Sequence, residues 1–337
     1  MLRRKRFWLG LIISLLFLGF FLARTDFGEI QEAFGGANYF LAFAAVPLYF
    51  VSFWIRTVRW HYLLRPVRDI ATLRLYPVVL IGLMTNNLAP ARVGELVRAY
   101  LLGERETMNK STALGTIAVD RAFDGLTLVA MLGIVTAFSD VDSGVKRIGI
   151  ATAVLFLAAA SFLVALAMSP QKVKGLLLRL IAMLPERLAR RAEDILDAFL
   201  VGLVAIRSPS VLIRAAVASS ASWLIEGSMY YVIGEAFNLG VGFHVYLIIV
   251  AGANLALSIL QTPGGIGPFE VATREVLVFF NVASASASAY ALALHAILLA
   301  PVILVGFLLL WTTRFSFSQI MGVEKRTAAP APGAGIE

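Results

Sequence analysis

The stretch NNLAPARVGE at residues 86–95 interrupts an apolar run of the chain. A second stretch, QTPGGIGPFE at residues 261–270, interrupts another apolar run in the same way. Proline and glycine break a helix at such positions and leave backbone polar groups without intrahelical partners. Within a bilayer, such backbone is tolerated only where it is buried in protein or lines a wet cavity. The two stretches therefore predict helical hairpins at about 75–102 and 244–281, each of which turns back inside the membrane.

The surrounding sequence has the composition of a membrane protein. Of the 337 residues, 59% are apolar and 15% are charged, whereas soluble domains have about 45–50% and about 25%. Apolar runs long enough to cross a hydrocarbon core of about 30 Å lie at about 7–23, 37–55, 111–138, 148–168, 211–237 and 288–312. We expect an all-α polytopic membrane protein with one transmembrane domain at 1–315 and a disordered tail at 316–337.

The distribution of basic residues predicts the orientation of the chain. If both interrupted segments are re-entrant and the other runs cross fully, most of the 29 Lys and Arg fall on one side. The positive-inside rule makes that side cytoplasmic, together with both termini, and the bacterial cytoplasmic membrane is the expected location. The basic stretch at about 170–207 then lies at the cytoplasmic surface. Its Ile195, Phe199 and Leu203 recur every four residues, which predicts amphipathic helices on the leaflet.

Composition also argues against several classes of function. The net charge of +8 does not indicate a nucleic-acid partner, because the basic residues stand in blocks beside apolar runs, as in segments that face anionic lipid. The chain has no Cys and only three His, far apart, so we expect no disulfide, no metal site and no cofactor. The short tail after Arg314 has no room for a transferase domain, and no nucleophile–base pair or nucleotide loop is recognisable. We therefore expect a protein that is not an enzyme.

The two interrupted segments resemble each other. Both follow the pattern Pro-x-x-aliphatic-Gly, at 90–94 and 263–267, and Glu95 and Glu270 come shortly afterwards. In the predicted topology three full crossings separate the segments, so they enter the membrane from opposite faces. Broken helices at matching positions of two oppositely oriented halves are typical of inverted-repeat transporters. The sequence therefore predicts an inverted-repeat bundle with two oppositely oriented re-entrant hairpins.

Ionisable side chains inside the predicted spans need compensation, because each costs roughly 2.5–3.5 kcal/mol to insert. Asp120, Arg121 and Asp124 lie within about one turn, where Arg121 can reach Asp124. They form either a self-neutralised structural cluster or part of a polar path. Glu226 has no neutralising neighbour on its own run, and its partner is predicted among the arginines of the hairpins, Arg92, Arg98 and Arg274. It is either one half of a structural ion pair or a counter-ion that an anionic group displaces.

The predicted hairpin tips carry groups that suit anions. Arg92 stands at the first tip, and a planar guanidinium donates bidentately to phosphate. The second tip presents backbone N–H groups just before a helix, which is a ready anion site, at Pro263, Gly264, Gly265 and Gly267. The steric need of a tight turn explains these glycines equally well, and both explanations can hold.

Three residues near the ends or middles of spans receive simpler interpretations. Arg56 and Arg59 end the second apolar run beside tryptophans, so interfacial anchoring is the expected role and capture of a lipid headgroup is the alternative. His295 lies in the last run and is interpreted as a helix-packing residue rather than a proton carrier.

Three of these motifs together resemble a known family. The runs Asn-x-x-x-Pro-x-Arg-x-Gly-Glu-x-x-Arg at 86–98, Asp-Arg-x-x-Asp at 120–124 and Pro-Gly-Gly-Ile-Gly-Pro-Phe-Glu at 263–270 are similar to the pattern of the lysylphosphatidylglycerol synthase transmembrane-region family. The resemblance covers about 7–315 and implies a flippase-like domain, as in the multiple peptide resistance factor, without the synthase domain. It implies a lipid path formed by Arg92, Glu95, Arg98, Asp120, Arg121, Asp124, Glu226 and Glu270. Asp120 stands where the family more often has Glu.

Together these features predict a lipid translocase whose two tips receive a phosphate-bearing headgroup while the apolar chains stay in the bilayer. The expected substrate is an anionic phospholipid such as phosphatidylglycerol, its aminoacyl ester, or a polyprenyl phosphate with or without sugar. One alternative is an ion-coupled transporter of a small soluble substrate, with Asp120, Asp124 and Glu226 as proton sites. Another is a non-catalytic membrane partner of a glycosyltransferase or other lipid-modifying enzyme. A homo-oligomer is compatible with either.

Overall fold

The computed structural model describes residues 5–23, 27–89, 93–137, 143–168, 175, 186–259 and 262–312. In this part of the chain all regular secondary structure is helical. The helices are α1 (Lys5–Ala23), α2 (Phe27–Gly35), α3 (Tyr39–Ala44), α4 (Val46–Leu64), α5 (Thr72–Leu88), α6 (Gly94–Glu106), α7 (Lys110–Ala137), α8 (Ser143–Met168), α9 (Glu186–Gly202), α10 (Pro209–Ala236), α11 (Phe243–Ile259), α12 (Pro268–Phe279) and α13 (Ser284–Thr312), with 3-10 turns at Val204–Arg207 and Pro263–Gly265.

The molecule buries several charged side chains and exposes many large apolar ones. On α10, the apolar side chains of Ile213 and Val217 are 65% and 64% exposed, whereas Arg59 and Asp120 are 0% and 1% exposed. Charged groups inside and large apolar groups outside suit a bilayer, where lipid rather than water surrounds the protein. The all-helical fold therefore fits the predicted membrane protein.

Several helices have the length needed to cross a hydrocarbon core. Tyr39–Leu64 and Ser284–Thr312 combine that length with high hydropathy in the described part of the chain. Helices α7, α8 and α10 contain 28, 26 and 28 residues, and a helix needs about 20 residues to span.

Both helical breaks predicted from the sequence are present. The first separates α5 from α6, and the second is the Pro263–Gly265 turn between α11 and α12. At the second break, Gly264, Gly265 and Gly267 have φ angles of +63°, +76° and +95°. Side chains disfavour such angles and glycine adopts them freely. The backbone itself therefore requires these glycines, which confirms the steric explanation without excluding a second role.

Helices α5 and α6 fold back against each other because glycines face one another at their contact. A Cβ atom added to Gly94 would overlap the carbonyl oxygen of Gly82, and one added to Gly82 would overlap the side chain of Arg98. The Asn86 side chain accepts a hydrogen bond from the Gly94 N–H at 2.7 Å, which ties the two helices together at the break.

The helices around the two breaks pack in two matching sets. In the first set α4 leads to the pair α5–α6 and then to α7, and in the second α10 leads to α11–α12 and then to α13. Helix α4 packs against α10. Helix α5 packs against α13, as α11 packs against α7, and α6 packs against α7, as α12 packs against α13. Each of these contacts thus has a counterpart in the other set.

The predicted amphipathic region at about 170–207 contains α9. This helix packs against α7, where a Cβ atom on Gly202 would overlap the Thr112 carbonyl oxygen. Ile195 remains 50% exposed, so α9 also carries apolar surface away from the bundle. Residues 169–174 and 176–185 of this region lie outside the described residues, as does the predicted tail at 316–337. The placement of α9 on the leaflet stays a prediction.

Candidate functional site

A cavity of about 450 Å³ lies between the two helical breaks. Asn86 and Asn87 line it beside the first break, and Thr262, Gly264 and Gly265 line it at the second. The remaining wall mixes charged, aromatic and aliphatic side chains, and includes Tyr49, Phe53, Arg56, Leu83, Glu95, Arg121, Asp124, Leu128, Trp223, Glu226, Tyr230, Leu257, Phe269, His295, Leu298 and Leu299. The fold thus brings two stretches far apart in sequence to one cavity whose wall carries both charged and apolar groups.

Arg59 is the centre of a buried ion network that adjoins the cavity. Its Nε lies 2.8 Å from Asp120 Oδ1, and its Nη1 lies 2.7 Å from Asp124 Oδ1 and 2.8 Å from the Ser219 hydroxyl. Because Arg59 is fully buried, these contacts replace the water that a guanidinium would otherwise need. The interpretation of Arg59 as an interfacial anchor is therefore wrong, since its side chain points from α4 toward α7 in the interior.

Two further arginines share the carboxylates of α7. Both terminal nitrogens of Arg98 lie 3.3 Å from Asp120 Oδ2, and its guanidinium carbon lies 4.2 Å from the centroid of a Trp60 ring. Arg121 Nη2 lies 2.9 Å from Asp120 Oδ2 and 3.0 Å from Asp124 Oδ2. The predicted contact between Arg121 and Asp124 is confirmed. The cluster is not self-contained, however, because it also neutralises arginines from α4 and α6.

Glu226 pairs with Arg56 across the contact between α10 and α4. The Ser52 hydroxyl donates to the same carboxylate at 3.3 Å, and the Arg56 guanidinium carbon lies 3.8 Å from the centroid of a Trp223 ring. Arg56 is buried, so its assignment as an interfacial anchor is also wrong. The predicted partners in the described residues, Arg98 and Arg274, bind other groups. The partner was missed because helical periodicity does not tell which distant helix a face will meet.

At the second break, Glu270 and His295 form a buried pair. His295 Nδ1 lies 2.6 Å from Glu270 Oε1, and its Nε2 lies 2.8 Å from the Gly264 carbonyl oxygen. The backbone N–H of Gly267 donates to Glu270 Oε2 at 2.8 Å. Phe269 lies against the imidazole with ring centroids 4.5 Å apart. His295 thus packs in the interior, as predicted, and it does so by holding the glycine turn.

The structure places the predicted site residues at different distances from the cavity. Those that line it are Glu95, Arg121, Asp124, Glu226, Gly264 and Gly265. Asp120 and Glu270 each contact a lining residue, Arg121 and His295 respectively, and Arg98 contacts Asp120 behind it. Those away from its wall are Pro263, Gly267 and Arg274. Arg274 donates instead to Ser288 and Ser284 of α13, at 3.2 and 2.6 Å. Arg92 lies outside the described residues, together with Pro90 and Ala91.

Two arginines of the site were not recognised as interior residues from the sequence, although their position gave a signal. Arg56 and Arg59 lie about one turn apart, and apolar residues continue beyond them to Leu63 and Leu64. The continuation indicates that they stand inside the span rather than at its end. The helix α4 indeed runs to Leu64.

Comparison with known proteins identifies the family of the chain. The family model described as "Lysylphosphatidylglycerol synthase TM region" matches residues 7–306. The chain belongs to this family. A "UPF0104 membrane protein" of Methanothermobacter thermautotrophicus is 29% identical to it over 284 residues, which are 79% of this chain and 82% of that protein. "UPF0104 membrane protein MJ1078" of Methanocaldococcus jannaschii is 26% identical over 203 residues, 58% of this chain and 80% of that protein.

A third relative carries an enzyme's name. "Glycosyltransferase AglD" of Haloferax volcanii is 32% identical over 135 residues, which are 40% of this chain and 22% of that protein. The resemblance drawn from the three sequence motifs is confirmed by the family match, and this family member is a membrane protein. Its relatives named here are archaeal, and the bacterial location stays a prediction.

Proposed function

We propose that this protein moves an anionic, phosphate-bearing lipid across the cytoplasmic membrane, with the headgroup in the cavity and the apolar chains in the bilayer. One observation carries the proposal. Two cations, Arg56 and Arg121, line a single cavity inside the helix bundle. A planar guanidinium donates bidentately to phosphate oxygens, so these two side chains suit an anionic headgroup.

The carboxylates around the cavity give the headgroup a way to enter and to leave. Arg56 and Glu226 both line the cavity, so their ion pair is open to competition from an incoming phosphate. A phosphate that takes the Arg56 donors displaces Glu226, and Glu226 returns when the lipid departs. This exchange keeps the arginine paired at every stage, while the displaced Glu226 keeps the Ser52 hydroxyl as a donor. Glu226 therefore acts as the displaced counter-ion.

We infer further that α5–α6 and α11–α12 are oppositely oriented re-entrant hairpins of an inverted repeat. The matching contacts of the two helix sets support this, as do the three long helices α7, α8 and α10 between the pairs. The chain has no native Cys, so single cysteines report sidedness. We expect an impermeant maleimide to label Ala283→Cys in intact cells and Glu104→Cys only after permeabilisation. Labelling of both from one side rejects the inverted repeat.

Translocation is tested in liposomes that contain purified protein and fluorescent phosphatidylglycerol, with external dithionite as the quencher. We expect Arg56→Gln and Arg121→Gln to slow lipid movement. Arg65→Gln serves as the matched control, because its side chain is 56% exposed and lies 3.6 Å from an exposed Asp69. Protein that moves no anionic lipid, or cavity variants as fast as the control, would contradict the proposal.

Native mass spectrometry identifies the lipid independently. We expect the protein in mild detergent to carry an anionic lipid that is lost in Arg56→Gln and retained in Arg65→Gln. The same lipids in all three proteins would favour the alternative, an ion-coupled transporter of a soluble substrate. A lipid translocase and a solute transporter differ in where the path opens. A lipid path opens sideways to the bilayer, and a solute path opens only to water.

The likeness to a protein named as a glycosyltransferase favours one second function. We propose as the alternative that this chain, itself not an enzyme, presents a polyprenyl-phosphate lipid to a glycosyltransferase partner. Both functions require the same arginines to bind the phosphate, so the cavity does not distinguish between them. Affinity purification under mild conditions distinguishes them, because a stable complex with such an enzyme supports the partner role. Purified protein that moves lipid unaided supports the translocase.

A further inference from the structure

Glu270 and His295 form a titratable pair that the proposed phosphate site leaves unused. Both are buried, at 4% and 5% exposure, and both nitrogens of the imidazole face an oxygen. The Gly264 carbonyl oxygen can only accept, so His295 Nε2 must carry a proton. The 2.6 Å contact between Nδ1 and the carboxylate needs a second proton, whichever atom holds it. The observed geometry therefore requires two protons on the pair.

Loss of one proton breaks one of these two contacts. A neutral imidazole has a single N–H. The proton occupies whichever ring nitrogen makes the stronger hydrogen bond. Donation to an ionised carboxylate is stronger than donation to a neutral carbonyl. The ring then keeps Glu270 and turns the lone pair of Nε2 toward the Gly264 oxygen, which repels it. Deprotonation of the pair thus releases Gly264.

The release of Gly264 affects the side of the glycine turn that faces the cavity. Gly264 lines the cavity, whereas Ile266 and Gly267 do not. The far side of the turn is held by other contacts, since the Ser14 hydroxyl donates to the Ile266 carbonyl at 2.6 Å and the Gly267 N–H donates to Glu270. Loss of the imidazole contact therefore removes a restraint from the cavity side of the turn and leaves the far side held.

Groups of both charges surround the pair. On α12 itself, Arg274 lies one turn from Glu270, pairs with Glu275 and donates to two serines of α13. Helix α2 also packs on α13, but its Glu29 and Glu32 are exposed. Helix α5 carries Arg74, which pairs with Glu106, and α11 carries His244, which lies against Phe280. The charged groups that share the cavity come from α4, α6, α7 and α10, and are Arg56, Glu95, Arg121, Asp124 and Glu226. The cavity-lining groups of α5 and α11 include the uncharged Asn86, Asn87, Asn254 and Ser258, and Ser14 of α1 contacts the turn.

We propose, in contrast to the sequence-based interpretation of His295 as a packing residue alone, that Glu270 and His295 form a proton-binding site whose proton fixes the Gly264 turn against the cavity. A phosphate in the cavity adds negative charge beside the pair and favours its protonated form, so anion and proton bind with positive coupling. This role rests on the proposed translocation, in which the headgroup is accompanied by a proton. The proton site itself stands on the hydrogen-bond geometry.

A single cysteine tests the release of the turn. Ser258→Cys lines the cavity beside the break, in a chain with no native Cys. Its rate of modification by a water-soluble methanethiosulfonate is measured from about pH 5.5 to about pH 8.5, which brackets the usual His range, with and without His295→Gln. Glutamine donates to a carbonyl at every pH and does not titrate. The fraction of ionised thiol changes with pH in the same way in both proteins. The ratio of their modification rates therefore reports the release of the Gly264 turn.

We expect this ratio to rise about tenfold between low and high pH, the order set by one hydrogen bond to a charged group. A flat ratio overturns the proposal. Should His295→Gln fail to fold, ¹⁵N-histidine spectra of the unsubstituted protein replace it. Loss of one proton from His295 across the same range supports the site, and an unchanged ring overturns it.

Neither readout requires lipid movement, so the proton site and the lipid translocase can each be rejected without rejecting the other. A titrating pair in a protein that moves no anionic lipid keeps the proton site and rejects the coupling to translocation. Lipid movement together with a flat ratio keeps the translocase and rejects the proton site.

Discussion

Replacement of Arg59 by methionine is the sharpest test of the buried ion network. Arg59→Met keeps an unbranched apolar stem but removes the guanidinium. Asp120 and Asp124 then each lose an ion-pair partner, and Ser219 loses a donor. Water cannot compensate, because Arg59 and Asp120 are 0% and 1% exposed. We therefore expect a large loss of stability.

The size of the loss follows from the remaining partners. Removal of one member of a buried ion pair typically costs about 3–5 kcal/mol. Asp120 retains Arg98 and Arg121, and Asp124 retains Arg121, so neither carboxylate is left bare. We expect a cost of about 3 kcal/mol, at the low end of that range. Arg65→Met is the control, because an exposed pair is worth about 0–1 kcal/mol.

The assay is unfolding by sodium dodecyl sulfate in mixed micelles, followed by circular dichroism, for Arg59→Met, Arg65→Met and the unsubstituted protein. A double-mutant cycle with Asp124→Asn then measures the coupling between the two side chains, expected at about 1–3 kcal/mol for direct partners. A cost of Arg59→Met no larger than that of the control, with no coupling to Asp124, would refute the buried network and restore the interfacial interpretation.

Two further comparisons test packing and charge. Gly94→Ala should destabilise the protein by about 1–3 kcal/mol, because the new Cβ overlaps the Gly82 carbonyl oxygen. Thermal denaturation should show no such loss for Gly133→Ala, where an added Cβ meets no described residue outside its own helical turn within 4 Å. Asp120→Asn should lower the melting temperature more than Asp124→Asn, because Asp120 contacts three arginines and Asp124 contacts two. Equal losses in either comparison count against the corresponding contact.

The helical breaks were predictable because their cause is local. Proline and glycine act on their own backbone, so the turn at 263–267 could be located without knowledge of any neighbour. The contact of Arg121 with Asp124 is equally local, since helical geometry alone brings residues three apart together. Hydropathy missed α2, which lies between the predicted spans 7–23 and 37–55, because this nine-residue helix is too short to give a span signal.

The partners of Arg56 and Arg59 could not be predicted in the same way, because they depend on which helices meet. A hydropathy window treats an arginine near the end of an apolar run as an interfacial residue, whatever its helix packs against. The contact of α4 with α10 and α7 brings Glu226, Asp120 and Asp124 to these arginines. Tertiary packing therefore places these two arginines, which were expected at the membrane interface, inside the buried site.

The two helix sets match in packing but differ in chemistry, and this difference bears on mechanism. The arginines around the cavity, Arg56 and Arg121, come from the first set, whereas the displaceable Glu226 and the Glu270–His295 pair come from the second. Under the proposed function, an anionic headgroup in the cavity would pair with arginines of the first set, free the Glu226 carboxylate of the second and favour protonation of Glu270 and His295. Two helix sets with matching contacts and different charges would then both respond to a single ligand, which is what alternating access in an inverted-repeat transporter needs.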